Sequence, residues 1–399
     1  MAGPEIAGRP ARIAIVRGAW NAAGGAERFV QRIAGALAAR GIEVTLIARR
    51  WAGQSEAGLP PATRLIETGL GHHFGRVGRD AAFAREVLRV VAQERFDLVQ
   101  SHERIPGLAI YRAGDGVHRE WLAQRRRKHG GLRQALGDRF FGGHAVVLRT
   151  EQAMYRHPDL RCVICNSEMV RNEIVRHYGV DPRQLAVIRN GVDLQRFRPP
   201  SPAEREQART ALGWPQGQPV LLFVGSGFDR KGVDVALQAF AAAGLGRSAL
   251  FAVVGRDRHQ PRYERLAQRL GIAPAVQFHG PQPDVLRWYH GADALVLPTL
   301  YDPQSNAVLE AMACGLPVVT STGCGAAEVL PPDAGAVVDA LDTAALAAAL
   351  QQVLADPAQA RAMGQRARQA IEPYGLSRMT DDYLALYNRL LAAPHEPAA

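Results

Sequence analysis

An acidic residue and a glutamate, separated by seven residues, mark the segment best suited to bind a nucleotide. Asp302 and Glu310 are followed by an alanine-rich stretch, Gly315 and an apolar run. This order predicts a loop, a helix, a tight turn and a strand, with Asp302 in the first helical turn, where the helix dipole favours an anion. The N–H groups of that turn lack partners inside the helix and can bind phosphate oxygens. They belong to Asn306, Ala307 and Val308.

Glu310 is the second acidic residue of this predicted nucleotide-binding segment. It would lie just inside the helix, where a carboxylate can accept two hydrogen bonds from a vicinal diol such as that of ribose. The alternative is a capped amphipathic helix with surface acids, which is the better interpretation for an arbitrary pair of acids at this spacing.

A second segment combines glycines with two adjacent cations. Gly225 and Gly227 follow a predicted strand and let the backbone approach a ligand closely. Arg230 and Lys231 come next and precede a predicted helix, where the dipole disfavours cations unless an anion lies between them. A diphosphate would neutralise both, with Arg gripping two oxygens and Lys acting as a point charge. The alternative is a solvated surface pair.

A basic segment at residues 119–141 mixes four consecutive cations, residues 125–128, with Trp121, Leu122 and two phenylalanines. Cations beside aromatic and aliphatic residues are what an interfacial amphipathic segment needs. The segment therefore predicts contact with an anionic membrane surface. A solvated basic helix is an equally good interpretation.

The charge of the chain is concentrated in its first half. Residues 1–199 carry 32 Lys and Arg against 19 Asp and Glu, whereas residues 200–399 carry 16 against 19. The imbalance predicts an anionic partner for the first half, such as a phosphorylated acceptor or an anionic membrane. No nucleic-acid-binding motif accompanies the basic residues, so we expect no nucleic-acid partner.

Composition is that of a globular protein, with 47% hydrophobic and 22% charged residues. No apolar run reaches the ~18 residues that span a bilayer, and no secretory signal peptide is expected at the N-terminus. Of four cysteines, Cys162 and Cys165 form a C-x-x-C within an apolar segment that predicts a buried strand, which favours structural thiols over a zinc or redox site. Low cysteine use fits a reducing cytosol.

Two series of alternating strands and helices divide the chain. The first begins with strand Arg12–Arg17, a glycine-rich loop, a helix and strand Glu43–Ala48, which together make the βαβ unit of a doubly wound fold. The second follows a proline-rich linker at residues 198–202. We predict an α/β protein with two Rossmann-like domains, residues 1–197 and 203–373, facing each other across a cleft. A C-terminal helix, residues 376–392, would cross back to the first domain.

The two site segments resemble those of a known enzyme family. GSGFDRKGVD at residues 225–234 and YDPQSNAVLE at residues 301–310 resemble the donor-binding motifs of retaining family 4 glycosyltransferases, which have the GT-B fold. Residues 105–115, residues 190–193 and Cys324-Gly325 are similar to the subgroup that adds the first glucose to the heptose region of the lipopolysaccharide core. The resemblance covers nearly the whole chain.

The resemblance implies roles for individual residues in a first, acceptor-binding domain and a second, donor-binding domain. Arg230 and Lys231 would hold the diphosphate, Glu310 the ribose, and Asp302 would face the transferred sugar in place of the usual glutamate. The shorter side chain of Asp302 puts the donor sugar in question more than the reaction. The donor phosphates and base would be approached by Gly24, Gly25, Gly225, Val254, Gly255, Phe278, His279 and Gly280.

On the acceptor side, His102 and Asp115 are the best candidates. His102 follows an apolar strand, at the end of the sheet where ligands bind in doubly wound folds. Either residue could equally be structural.

The implied reaction is the transfer of a hexose from a nucleotide sugar, with glucose from UDP-glucose and a lipid-linked lipopolysaccharide core acceptor as the most specific expectation. Arg230 and Lys231 would replace a divalent ion, so no metal or other cofactor is expected. We expect a cytoplasmic protein, peripheral on the inner membrane. Alternatives are another UDP- or GDP-sugar in O-antigen or exopolysaccharide synthesis and, more remotely, a dinucleotide-binding oxidoreductase. No G-x-G-x-x-G follows the first strand to support the oxidoreductase.

Overall fold

The computed structural model describes residues 5–6, 9–18, 25–49, 63–69, 75–130 and 143–392. The chain divides into two compact units, each with its own sheet and core. Unit 1 comprises residues 1–190 and 377–399, and unit 2 comprises residues 191–376. The boundary between Asn190 and Gly191 precedes the proline-rich segment.

The described residues of unit 1 form a seven-stranded parallel sheet in the order β3-β2-β1-β4-β5-β6-β7. Its inner strands are almost entirely buried, as expected for a parallel sheet with helices on both faces. A two-residue antiparallel pair, Glu5–Ile6 with Arg9–Pro10, precedes it. The strands are β1 (Arg12–Arg17), β2 (Glu43–Ala48), β3 (Thr63–Glu67), β4 (Leu98–Ser101), β5 (Ile110–Arg112), β6 (Cys162–Cys165) and β7 (Leu185–Val187).

Helices of unit 1 alternate with its strands, and the C-terminal helix returns to this unit as predicted. Tyr383 and Tyr387 on that helix are fully buried, and the Tyr387 hydroxyl donates to Gln100 Oε1 at 2.8 Å. The helices are α1 (Gly25–Ala38), α2 (Gly75–Gln93), α3 (His118–His129), α4 (Gly143–Tyr155), α5 (Glu168–Tyr178) and, after unit 2, the C-terminal helix Leu376–Ala392.

The sheet of unit 2 is also parallel, with six strands in the order β10-β9-β8-β11-β12-β13. This is the strand order of a Rossmann fold, in which the chain turns back after the third strand and continues on the other side of the first. The strands are β8 (Val220–Val224), β9 (Leu250–Val254), β10 (Val276–Phe278), β11 (Ala294–Leu297), β12 (Val318–Ser321) and β13 (Gly335–Val338).

Helices of unit 2 begin with one that the sequence analysis placed partly in a linker. Ser201 and Glu204 form a reciprocal capping box, and Pro202 occupies the first helical position, where its fixed φ favours a helix. The helices of unit 2 are α6 (Pro202–Leu212), α7 (Phe228–Lys231), α8 (Val233–Ala242), α9 (Gln260–Arg269), α10 (Leu286–Gly291), α11 (Asn306–Ala313), α12 (Thr343–Ala355) and α13 (Pro357–Ile371). The C-terminal helix, Leu376–Ala392, which packs in unit 1, is α14.

The predicted α/β class with two doubly wound sheets is confirmed. Strands β1 and β2 have the predicted bounds. Strands β3 and β13 were not predicted. Strand β3 mixes polar with apolar residues, and β13 has only four residues, all partly or fully exposed. The interpretation of Cys162 and Cys165 as buried thiols is confirmed, and burial raises the pKa of Cys162 to about 11. Within the described ranges, no helix is both long and apolar enough to span a membrane.

Candidate active site

The candidate donor site lies where the strand order of unit 2 reverses. Strands β8 and β11 are neighbours, but the following strands are added on opposite sides of the sheet. A crevice opens at the carboxyl ends of such a strand pair because the two connecting segments diverge. Arg230 and Lys231 lie in the segment that follows β8, and Asp302 lies in the segment that follows β11.

Arg230 and Lys231 occupy the last two positions of the one-turn helix α7, not the N-terminus of a helix as predicted. Cations are favoured at a helix C-terminus, where the carbonyl groups lack partners, so this arrangement needs no bound anion to offset a dipole. Gly232 separates α7 from α8 with a φ of 78°. A Cβ atom there would lie 2.1 Å from the Pro298 carbonyl oxygen, so only glycine permits this approach.

Lys231 and Asp302 form an ion pair between the two segments. The Lys231 Nζ donates to Asp302 Oδ2, and the two side chains are only 11% and 10% exposed. The Arg230 Nη1 donates to the Tyr301 carbonyl oxygen at 2.9 Å. The structure therefore brings the two predicted diphosphate-binding cations and the predicted sugar-facing carboxylate into one cluster.

The charge state of Asp302 follows from this cluster. Burial tends to raise the pKa of Asp302, but attraction to Lys231 and Arg230 outweighs burial and holds the pKa below its ordinary value. Because the pKa is lower in the folded state, the pair contributes stability above the unfolded pKa of about 3.9. That contribution is lost as the pH falls through the folded pKa, so Asp302 is ionised at neutral pH.

Asp302 lies four positions before α11 begins, and the prediction that it belongs to the first helical turn was wrong. Its backbone instead joins the segment after β12, since Asp302 N donates to the Gly323 carbonyl oxygen and Gly325 N donates to the Asp302 carbonyl oxygen, each at 2.9 Å. This bridge fixes the carboxylate between two strand ends. The first turn of α11 contains the predicted residues Asn306, Ala307 and Val308.

Glu310 lies on the second turn of α11 and is buried. The Tyr289 hydroxyl of α10 donates to Glu310 Oε2 at 3.0 Å, which fixes the orientation of the carboxylate. The sequence analysis did not identify Tyr289, because an aromatic residue next to another aromatic residue, Trp288, resembles an ordinary core position.

The unit 2 residues predicted to approach the donor phosphates and base lie at the ends of three neighbouring strands. Gly225, Gly255 and Gly280 come at or just after the ends of β8, β9 and β10, and Gly255 N donates to the Gly280 carbonyl oxygen at 2.9 Å. A Cβ atom on Gly255 would lie 1.9 Å from the Gly225 carbonyl oxygen, so the two loops approach closely. Val254 is buried and Phe278 is partly buried beside them.

Unit 1 has a corresponding reversal between β1 and β4. Glu103, just after β4, accepts hydrogen bonds at Oε1 from Gly18 N at 2.9 Å and from Arg17 Nη1 at 3.3 Å. Burial raises the pKa of Glu103 above its ordinary value, Arg17 opposes that shift, and the charge of Asp115 adds to it. Glu103 was missed by the sequence analysis, although its position after an apolar strand was a usable signal.

The other predicted residues of unit 1 are placed differently. His102 is buried, its Nε2 lies 3.0 Å from Gln100 Nε2, and burial lowers its pKa well below the ordinary value. Asp115 is exposed in the turn after β5, on the same edge of the sheet as Glu103. Gly25 begins α1, and Gly24 lies outside the described residues.

The basic segment is partly described. Helix α3 carries Arg126 and Arg127 exposed in its last turn, while Leu122 is buried. Glu120 on the same helix binds His177 Nε2 at 3.0 Å, which ties α3 to α5. Residues 131–141 of the predicted membrane-binding segment lie outside the described residues.

Two family models match the chain, one in each half. The model for group 1 glycosyl transferases matches residues 204–370, which contain all the donor-site residues of α7 and α11. The model for glycosyltransferase family 4 matches residues 23–196.

Known proteins are similar over most of the chain. Lipopolysaccharide glucosyltransferase WaaG of Escherichia coli strain K12 is 30% identical over 310 residues, covering 77% of this chain and 79% of WaaG. D-inositol 3-phosphate glycosyltransferase 2 of Catenulispora acidiphila is 31% identical over 405 residues, covering 92% and 90%. A crystal structure of WaaG, described as a glycosyltransferase involved in lipopolysaccharide biosynthesis, matches with a TM-score of 0.80 at 26% identity over 94% of this chain and 99% of WaaG.

The two parallel, doubly wound sheets, together with the cluster of Arg230, Lys231 and Asp302 at the strand reversal of unit 2, define a glycosyltransferase with the GT-B fold. The chain belongs to family 4, the group 1 glycosyltransferases, and resembles WaaG within that family.

Proposed function

We propose that the protein transfers a hexose from a UDP-sugar, with glucose as the preferred sugar, to a lipopolysaccharide core or related glycan acceptor, with retention of the anomeric configuration. Unit 2 would bind the donor and unit 1 the acceptor. The observation that carries this proposal is the gathering of Arg230, Lys231 and Asp302 at one edge of the unit 2 sheet, with Glu310 on the helix that follows Asp302.

Each group of the cluster suits one part of a sugar nucleotide. Arg230 and Lys231 would bind the diphosphate and stabilise the negative charge that develops as it leaves, and electrostatic stabilisation of this kind often contributes more to catalysis than any other effect. Glu310, held by Tyr289, would bind the ribose hydroxyls. Asp302 would bind a hydroxyl of the transferred sugar while keeping Lys231 in place.

Retention would follow from attack on the face from which the diphosphate leaves. In the proposed reaction the acceptor oxygen forms a bond to the anomeric carbon, the bond from that carbon to the diphosphate oxygen breaks, and the acceptor proton passes to the leaving phosphate. No covalent enzyme intermediate is needed, in contrast to retaining hydrolases with paired carboxylates. Catalysis would then depend on positioning and electrostatic stabilisation.

A second candidate acceptor is a small phosphorylated polyol. The relative named D-inositol 3-phosphate glycosyltransferase 2 aligns with 92% of this chain. Residues 1–199 of this chain carry all of its excess positive charge. A cationic surface binds a phosphate monoester or an anionic lipid equally well. The two acceptors are therefore distinguished by experiment.

The proposal is tested by supplying UDP-glucose with each acceptor in turn, namely a purified heptose-terminated lipopolysaccharide core and D-inositol 3-phosphate. We expect transfer to the core, with an α-linked product detected by the anomeric coupling constant in NMR. Transfer to inositol phosphate alone would support the second candidate. A β-linked product would contradict retention.

Metal dependence gives a first prediction. Because Arg230 and Lys231 supply positive charge beside the predicted diphosphate position, the initial rate should change less than twofold in excess EDTA. The rate of UDP release is measured after gel filtration into metal-free buffer, with and without added Mn²⁺ or Mg²⁺. Complete loss of activity in EDTA, restored by Mn²⁺, would contradict the proposed role of the two cations.

A second prediction concerns membrane attachment and a cytoplasmic location on the inner membrane. Changing Arg125, Arg126, Arg127 and Lys128 to Gln should weaken binding to anionic vesicles about tenfold or more, since each cation near such a surface contributes ~1 kcal/mol. Co-sedimentation with vesicles rich in anionic lipid measures the binding, because such vesicles have a strong negative surface potential.

The matched control removes four exposed arginines from unit 2, so that the net charge is equal. Those residues are Arg262, Arg265, Arg269 and Arg361. Equal binding by the two variants would show that the basic helix is not the membrane contact.

A further inference from the structure

Helix α7 carries both proposed diphosphate-binding cations, yet it consists of a single turn. One turn of helix is unstable by itself, because fixing the first turn costs more conformational entropy than its one hydrogen bond returns. Its N-cap residue is Gly227, which has no side chain to accept the unpaired N–H groups. The position of Arg230 and Lys231 therefore depends on contacts from outside the helix.

Asp257 makes one of these contacts, from the loop after β9. Its Oδ2 accepts a hydrogen bond from Phe228 N, the first N–H group of α7, at 2.7 Å. Its Oδ1 accepts from His259 N at 2.7 Å, so both oxygens are directed to backbone groups. A hydrogen bond to a charged acceptor of this kind is about twice as strong as a hydrogen bond to a neutral acceptor. Asp257 thus supplies the N-terminal cap that Gly227 cannot.

Two further bonds join the same loops. Gly227 N donates to the Arg256 carbonyl oxygen at 3.1 Å, and Arg256 N donates to Ser226 Oγ at 3.1 Å. The loop before α7 and the loop after β9 are therefore connected by reciprocal bonds, of which only the Asp257 bond reaches the helix itself.

The other end of α7 is fixed independently. The Arg230 carbonyl oxygen accepts from Leu300 N at 2.9 Å and from Thr299 Oγ1 at 3.1 Å, both in the segment that leads to Asp302. The fully buried Phe228 ring packs against Tyr263, with ring centroids 5.4 Å apart. With its ends and one face anchored, the short helix holds its cations at a defined place.

We propose that Asp257 is a positioning residue for the transfer reaction, which acts through α7 by holding Arg230 and Lys231 where they bind the donor diphosphate. The inference rests on the proposed function, since it assumes a diphosphate ligand. Asp257 lies outside the two motifs at residues 225–234 and 301–310, on the loop that begins with Gly255. Asp257 was missed by the sequence analysis, although an acid two residues after a strand-ending glycine was the available signal.

The test compares nucleotides that differ by one phosphate. The dissociation constants of UDP and UMP are measured by calorimetry for the wild type, Asp257→Ala and Asp257→Asn. We expect Asp257→Ala to weaken UDP binding about tenfold, to change UMP binding less than threefold, and to lower kcat with UDP-glucose. Asp257→Asn retains a side-chain oxygen that can cap Phe228 N, so it should recover most of the wild-type preference for UDP.

The matched control is Asp342→Ala, which removes another side-chain cap in unit 2. Asp342 accepts from Ala345 N at 2.9 Å at the start of α12, which contributes no proposed site residue. This control should lower the melting temperature to a similar extent without changing the ratio of the two dissociation constants.

The outcomes separate the inference from the function on which it rests. A wild-type preference for UDP that persists in Asp257→Ala would overturn the positioning role and leave the proposed function intact. The same loss of preference in Asp342→Ala would also overturn it, because general destabilisation would then explain the effect. A wild type that binds neither UDP nor UMP would overturn both.

Discussion

A Lys231→Gln variant is expected to lose about a thousandfold in kcat/KM with UDP-glucose. Removing one group that stabilises charge in a transition state typically costs 10²–10³ in rate, and Lys231 is in addition the partner of the predicted sugar-facing carboxylate. The neutral glutamine provides neither a positive charge for the leaving diphosphate nor an ionic partner for Asp302. Steady-state rates of UDP release at several donor concentrations measure the loss.

Stability has to be separated from catalysis in this variant. Breaking a buried ion pair by removing one partner commonly costs about 3–5 kcal/mol, because the remaining charge is left buried. Since the two side chains here retain about a tenth of their exposure, a loss at the lower end of that range is expected. The double variant Lys231→Gln, Asp302→Asn should recover much of the stability and none of the activity. Recovery of activity together with stability would show that Lys231 has only a structural role.

Glu310→Gln should raise the KM for the donor about 100-fold and change kcat less than tenfold. Hydrogen bonds to a charged group contribute about 1.5–3 kcal/mol each, and the ribose is distant from the reacting bond, so they affect the bound substrate and the transition state alike. The initial rate measured over a range of UDP-glucose concentrations gives both constants.

Two further measurements establish that this effect comes from the ribose. The wild type should bind UDP at least tenfold more tightly than its 2′,3′-dideoxy analogue, and Glu310→Gln should show little preference. The matched variant Tyr289→Phe removes only the hydroxyl that donates to Glu310 Oε2, so it should show a smaller effect in the same direction. Retention of the full preference for the ribose hydroxyls by Glu310→Gln would contradict the assignment.

Much of the fold could be predicted because its strands carry a local signal. A parallel strand covered on both faces is a continuous apolar run, as in β8 and β9, and such runs are visible without any knowledge of their neighbours. Strands β3 and β13 lie at the edges of their sheets, and their residues are partly or fully exposed. Their formation therefore depends on hydrogen bonds to the adjacent strand more than on burial of their own side chains. That dependence is not visible in the segment itself.

The site was predictable to the extent that its residues are close in sequence. Arg230 with Lys231 and Asp302 with Glu310 form two local patterns, whereas the ion pair that joins the patterns spans 71 positions. The helix dipole argument failed for Arg230 and Lys231, because Gly232 interrupts the expected helix and leaves the cations at the end of a separate turn. Glu103, Asp257 and Tyr289 act through contacts with distant segments, which local patterns do not reveal.

Binding of a UDP-sugar by unit 2 is tested directly by a thermal-shift screen, because a ligand that binds only the native state raises the melting temperature by mass action. The ligands are UDP, GDP, ADP, UDP-glucose, UDP-galactose, UDP-N-acetylglucosamine and NAD, each at the same concentration. We predict stabilisation by UDP and the largest shift with UDP-glucose. A shift with NAD alone, or no shift with any nucleotide, would contradict the assignment of Arg230, Lys231 and Glu310 to the donor site.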